Sequence, residues 1–153
     1  MNKGDIGIFL LEDNSFDLVL ESGDLKGDLG LETSVTISLF TDGRASDAEL
    51  PQGQISKRGW WGDMFPTIDR DQIGSRLWTL EREKRTEEVL RKFEDFSATA
   101  LEWLKEDGVA SAISTEAVYN EFKHLILTVI ITKPDGRNSK FIALWDQQKL
   151  IRG

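Results

Sequence analysis

The stretch HLILTVIIT (124–132), with KPDGR (133–137) and SKFIALW (139–145) after it, constrains the fold more than any other part of the chain. Period-two alternation places Leu125, Leu127, Val129 and Ile131 on one face of a strand and Ile126 and Ile130 on the other. Phe141, Ile142, Leu144 and Trp145 repeat the two-sided pattern, while Pro134 and Gly136 fit the second and fourth positions of a type I turn. The segment therefore predicts an antiparallel hairpin. Because each strand is apolar on both sides, the hairpin needs cover on both faces, from the long connection between the helices or from another subunit. ISTEAVYN (113–120) reads as a third strand.

The spine of the core is legible upstream. Residues 86–107 predict a helix: Thr86 suits the N-cap, Glu87 and Glu88 suit the positive end of the helix dipole, and Gly108 supplies the stop. Val89, Phe93, Phe96, Ala100 and Leu104 form its apolar stripe, flanked by Leu90, Leu101 and Trp103. SRLWTLER (75–82) predicts a shorter helical turn, and GLETSVTISLFTDGR (30–44) a helix with Leu31, Val35 and Leu39 on one face, ended by a positive-φ stop at Asp42-Gly43. At the N-terminus, GIFLLED (7–13) and FDLVLES (16–22) read as two strands joined at Asn14-Ser15, with one apolar face toward the core. The expected fold is α+β: a small antiparallel or mixed sheet, a long amphipathic helix at about 86–107, and one or two shorter helices. A length of 153 residues fits a single domain spanning the chain.

Between these elements runs a long connection, at about residues 43–73, with six Gly and Pro residues from Gly43 to Pro66 and no sustained periodicity. Loops of that length inside compact domains are uncommon and usually functional. Trp60, Trp61, Met64 and Phe65 make this one too aromatic for permanent disorder, so it packs either on its own core or on a neighbouring chain.

Composition removes several function classes. With no cysteine there is no disulfide framework, thiolate nucleophile or cysteine zinc site. The net charge is −8, and residues 1–58 carry 11 acids against 5 bases, which repels phosphate backbones and disfavours nucleic-acid binding. No apolar run reaches a signal or membrane-span length, so a soluble chain assembled in the cytoplasm is expected. His124, the one histidine, sits at a strand edge without an evident partner, and EREKR (81–85) reads as a solvated face. No EF-hand spacing or phosphate-cradling glycine motif is present, so no metal, cofactor or catalytic residue is assigned. Asp63 and Asp69 beside Trp60 and Trp61 are the one pattern that could serve a carboxylate glycan hydrolase, since such clefts pair two acids with a stacking aromatic. In a chain with 27 acids, two near tryptophans are expected by chance. The residues favour a protein that binds proteins, either a structural subunit or a small adaptor.

The segments GLETSVTISLFTDGRA, RGWWGDMFP, IGSRLWTLEREKRTEEVL, ALEWLKEDGVA and the closing hairpin with KPDG resemble, in order and over nearly the whole chain, the Mu-type phage and prophage gene product 46 family. GWWGD and GSRLW are the most specific elements. That family is similar to the gene product 25 wedge proteins of contractile tails, also called lysozyme-like or sheath-initiator components. The resemblance implies a wedge-type α+β fold, a non-enzymatic place in the inner baseplate, and contacts with a larger wedge protein and with tube or sheath subunits. The Glu-Pro-Arg motif that follows the long helix in such relatives has no counterpart in KEDGVA (105–110), so its anchoring role does not carry over. Arg58, Trp60, Trp61, Asp63, Arg76, Trp78 and Trp145 are the candidate contact residues, because large aromatics and arginine dominate interface energetics. Trp78 and Trp103, on helical segments, are the most core-like of the tryptophans, and self-association in isolation is a further expectation.

Overall fold

A computed structural model describes residues 8–10, 16–18, 20–21, 24–25, 30–59 and 73–153. Trp60, Trp61, Asp63 and Asp69, together with the expected Asn14-Ser15 turn, lie outside the described residues. At the N-terminus, β1 (Ile8–Leu10) pairs antiparallel with β2 (Phe16–Leu18), in a register from Ile8↔Leu18 to Leu10↔Phe16. β3 (Leu20–Glu21) pairs instead with β4 (Asp24–Leu25), so the expected single strand over 16–22 divides between two small hairpins.

The predicted hairpin is the centre of a four-stranded antiparallel sheet in the order β5-β6-β7-β8: β5 (Ala112–Tyr119), β6 (Leu125–Thr132), β7 (Asn138–Leu144) and β8 (Lys149–Arg152). Between β6 and β7, the Gly136 N–H bonds the Lys133 carbonyl at 2.9 Å, and Gly136 has φ of +85°. This is a type I turn followed by a left-handed glycine, with Pro134 at its second position. β8 was not expected from the sequence. It is only four residues long and follows a 3-10 turn at Trp145–Gln147 that ends with Gln148 in the left-handed region, φ +51°.

Leu125, Leu127, Val129 and Ile131 are all buried, as are Phe141 and Ala143 beside them. Over this face packs α2 (Glu87–Leu101), whose N-cap is the predicted one: Thr86 Oγ1 accepts the Val89 N–H. The helix stops short of the expected span, giving way at Glu102 to the four-residue α3 (Trp103–Glu106) before Gly108 at φ +74°. Near the break, the Ser97 and Thr99 hydroxyls bond the carbonyls four residues back, at 2.5 and 2.8 Å, a pattern that bends helices. The buried stripe is also rotated from the predicted one. It runs Val89, Phe93, Ser97, Leu101 and Leu104, with Ser97 fully buried and Phe96 and Ala100 only half-buried. Ser97 is admitted because its hydroxyl is satisfied within the helix.

The first helix, α1 (Leu31–Phe40), buries Leu31, Val35 and Leu39 as expected. Its exit differs. Gly43 does not have positive φ. Thr41 turns to extended backbone, and Asp42 forms a parallel bridge with Ser75. The glycine eases a close approach, since a Cβ on Gly43 would sit 3.1 Å from the backbone of Gly74 and Ser75, tighter than an ordinary contact. The expected helical turn is a 3-10 helix at Leu77–Leu80 whose four residues are all buried.

Candidate functional site

The long connection leaves the core and returns to it at one point. The Gly43 N–H bonds the Ser75 carbonyl at 2.7 Å and the Ser75 N–H bonds Thr41 at 2.9 Å. The Ser75 hydroxyl donates to the Leu39 carbonyl at 2.7 Å, satisfying one of the orphan acceptors at the C-terminus of α1. Trp78 completes the clamp, its indole Nε1 donating to the Gly43 carbonyl at 2.7 Å. Within the connection, Ala45 N–H to Lys57 carbonyl at 3.0 Å closes a smaller excursion that holds a 3-10 turn at Asp47–Glu49 capped by Ser46.

Of the candidate contact residues, Arg58 and Arg76 are partly exposed, and each lies on an aromatic ring. The Arg58 guanidinium lies 4.4 Å from the Trp78 ring centroid and its Nη1 is 2.7 Å from Asp42 Oδ2. Arg76 lies 4.3 Å over Phe96 and pairs with Glu49. Burial pushes the Glu49 carboxyl up, but hydrogen bonds from the backbone and hydroxyl of Ser46, together with Arg76, outweigh it and hold the group below its ordinary value. Trp78 and Trp145 are 3% and 6% exposed, so within this chain both serve the core. Trp103 is half-buried, its indole donating to the Ser38 hydroxyl at 3.0 Å.

Two surfaces stand out among the described residues. The first is the sheet face turned away from α2. There Val118, Ile126, Ile142, Leu144 and Ile151 lie on neighbouring strands, Val118 at 44% and Ile151 at 40% exposure, and none of them joins the core cluster. Phe122, in the β5–β6 connection, is 72% exposed. The second is a groove of about 750 Å³ on the opposite side, floored by Phe40, Phe93 and Trp145 and walled by Asp42, Glu81, Glu83 and Asp146 with Arg58 and Arg85. Tyr119 lines it as well, its phenol pushed up by burial against the opposing pull of Arg85. Sequence reasoning missed this groove, because EREKR reads as a uniform solvated run and its position beside Tyr119 and Asp146 is set by the fold.

Among the described residues no group of three or more His, Cys, Asp and Glu side chains is placed to hold a metal ion, and no helix is long and apolar enough to cross a membrane. The arrangement offers apolar area, paired charges and clamped loops, which is the chemistry of protein recognition. Comparison with known proteins points the same way. The family "Phage protein GP46" matches residues 31–138, from the start of α1 through the β6–β7 turn. "Baseplate protein gp46" of Escherichia phage Mu is 46% identical over 122 residues, covering 78% of this chain and 81% of that protein. "Mu-like prophage FluMu protein gp46" of Haemophilus influenzae (strain ATCC 51907 / DSM 11121 / KW20 / Rd) is 37% identical over 131 residues, 84% and 89% of the two chains. With its α+β fold and this extent of likeness, the chain belongs to the phage protein GP46 family and is a structural baseplate component of a Mu-like phage tail.

Proposed function

We propose that the protein works without catalysis, as an inner-wedge subunit that joins the baseplate through the outward face of its sheet. The observation that carries this reading is the apolar row from Val118 through Ile126 and Leu144 with Ile142 and Ile151 beside it, on the side of the sheet opposite α2. Val118 and Ile151 are exposed and Ile126, Ile142 and Leu144 partly so, and neighbouring apolar side chains on one sheet face are the kind of surface that marks a protein contact. The partners are a larger wedge protein and tube or sheath subunits, assembled in the host cytoplasm. Arg58 and Arg76, held flat on aromatic rings, and Trp60, Trp61 and Asp63 of the long connection supply further contacts. Trp78 and Trp145 act from within, by fixing the surfaces around them.

Co-expression with the neighbouring tail gene products tests the assignment. The native chain co-purifies with a wedge partner, and Val118→Lys/Ile151→Lys, at positions already exposed, abolishes the complex while leaving the circular dichroism spectrum unchanged. A complex that forms normally with this folded variant overturns the sheet-face assignment. Peptidoglycan turnover that disappears in Asp63→Asn overturns the non-catalytic one.

A further inference from the structure

We propose that the groove between the α1 exit and the β5–β6 end of the sheet is a second docking site, whose occupant is a segment of a partner protein carrying a large apolar side chain flanked by lysine or arginine. The inference rests on the protein-binding role given above but concerns a different surface.

The floor is apolar and already ordered. Phe40 stacks on Trp145 at 5.7 Å between centroids, and Phe93 meets Trp145 edge-on at the same distance. Phe40 is half-buried and Phe93 and Trp145 are 4% and 6% exposed, so the floor offers a small apolar contact area between charged walls, and about 750 Å³ lies within the range of sites that enclose a few side chains.

The walls select the charge. Four carboxylates line the groove, Asp42, Glu81, Glu83 and Asp146, against two cations, Arg58 and Arg85. Both arginines are engaged. Arg58 is bound to Asp42 at 2.7 Å and lies on Trp78, while Arg85 is 3.6 Å from Asp146 and 5.8 Å from the Tyr119 ring centroid. Glu81 and Glu83 make no ion pair among the described residues. The uncompensated charge of the rim is therefore negative, directly above an aromatic floor. A phosphate or an acidic segment would meet two carboxylates and only arginines already neutralised, whereas a cation beside an apolar anchor satisfies wall and floor together.

The test uses the full chain, ¹⁵N-labelled, titrated with a synthetic peptide of alternating lysine and leucine, with glutamate–leucine and lysine–serine peptides as comparisons. The lysine–leucine peptide shifts the amide signals of Glu81, Glu83 and Tyr119 and the indole signal of Trp145. Glu81→Gln/Glu83→Gln, which neutralises two exposed side chains and leaves the rest of the spectrum in place, weakens binding about three- to tenfold, the loss expected for two exposed ion pairs. Equal binding of the glutamate–leucine peptide, unchanged affinity in the double variant, an absence of shifts, or shifts centred on Val118 and Ile151 each overturn the proposal. The Val118→Lys/Ile151→Lys experiment reports on the other face, so either reading can fail without the other.

Discussion

Glu94 of α2 accepts, at 2.8 Å, the backbone N–H that Ala117 presents from the free edge of β5, and the Thr115 hydroxyl bonds the Glu94 carbonyl at 3.1 Å. The long helix thus covers an edge strand as well as a sheet face. An exposed edge of eight residues is a template for unwanted pairing, and a carboxylate seated on it blocks the ladder where a second chain would start. Glu94→Ala leaves the Ala117 N–H without its acceptor and costs about 1–3 kcal/mol. In a chain of this size each kcal/mol lowers the melting temperature by about 2–4 °C. Faster hydrogen exchange at Ala117, and self-association by light scattering, accompany the loss, and Glu94→Gln, which keeps an acceptor oxygen, recovers part of it.

Gly74 closes the long connection and tolerates no side chain. Its φ is +99°, and a Cβ there would lie 2.4 Å from the Thr41 carbonyl oxygen and 2.8 Å from the Gly43 nitrogen, both backbone atoms held by the bridge to Ser75. Gly53 has φ of +81° with nothing within 4 Å of the same position, so it serves as the control. Gly53→Ala costs about 1–2 kcal/mol, the strain of a left-handed alanine alone. Gly74→Ala costs at least about 3 kcal/mol, because the bridge must also part. Urea denaturation of the two variants measures the difference directly.

Acid should weaken the capped turn at Asp47–Glu49. The Glu49 carboxyl is held below its ordinary value of 4.5 against the opposing effect of burial, so the folded state binds its proton less readily than the unfolded chain does. The stability this contributes is fully present above pH 4.5 and is lost as pH falls through the lower, folded value. Glu49→Gln removes the ionisable group. The gap in urea midpoint between native chain and variant is therefore widest near neutrality and closes as pH falls below 4.5. A gap that stays constant with pH assigns the effect to packing instead of to the Ser46 and Arg76 contacts.

The limits of sequence reading can be located in particular residues. The hairpin was legible because Leu125 to Ile131 alternate without interruption and Lys133-Pro134-Asp135-Gly136 allows few turns. The long helix was legible from Thr86 and the apolar spacing, but Ser97 and Leu101 take the buried places expected for Phe96 and Ala100, because Ser97 looks polar while its hydroxyl is satisfied by the Phe93 carbonyl in the same helix. The positive-φ reading of Gly43 failed for a different reason. Glycine suits that place because Ser75, 32 positions along the chain, comes to lie close against it, and no local signal encodes that distance. Of the candidate contact residues, Arg58 and Arg76 are open to solvent while Trp78 and Trp145 face inward. A tryptophan in sequence announces a large buried area without saying which molecule buries it.

Ser97 gives a second check on the helix. Because its hydroxyl bonds only its own helix, Ser97→Ala deletes no tertiary partner and replaces serine with the best helix former, so its effect lies within about 0.5 kcal/mol of neutral. Phe93→Ala, one turn away at 4% exposure and edge-on to Trp145, leaves a cavity and costs about 3–5 kcal/mol. Comparable losses in the two variants would show that the Ser97 hydroxyl has a role beyond the helix.

Trp78 couples the core to the first part of the long connection, and local opening separates that role from plain burial. Its indole nitrogen holds the Gly43 carbonyl, and its ring carries the Arg58 guanidinium at the other end of the excursion closed by Ala45 and Lys57. Trp78→Phe keeps most of the apolar area but removes the donor, leaving a buried carbonyl unpaired and a smaller surface under Arg58. Segments held by few contacts open at free energies well below global unfolding. Trypsin should therefore cut after Lys57 and Arg58 several times faster in Trp78→Phe than in the native chain, under conditions where both remain folded by near-ultraviolet circular dichroism. Arg58→Lys, which keeps the charge to Asp42 but loses the flat stack, gives a smaller increase at Lys57. If Trp78→Phe instead unfolds globally with no preferred cleavage at Lys57 and Arg58, the indole is a core side chain only, and the connection is held by its glycines and the Ser75 bridge.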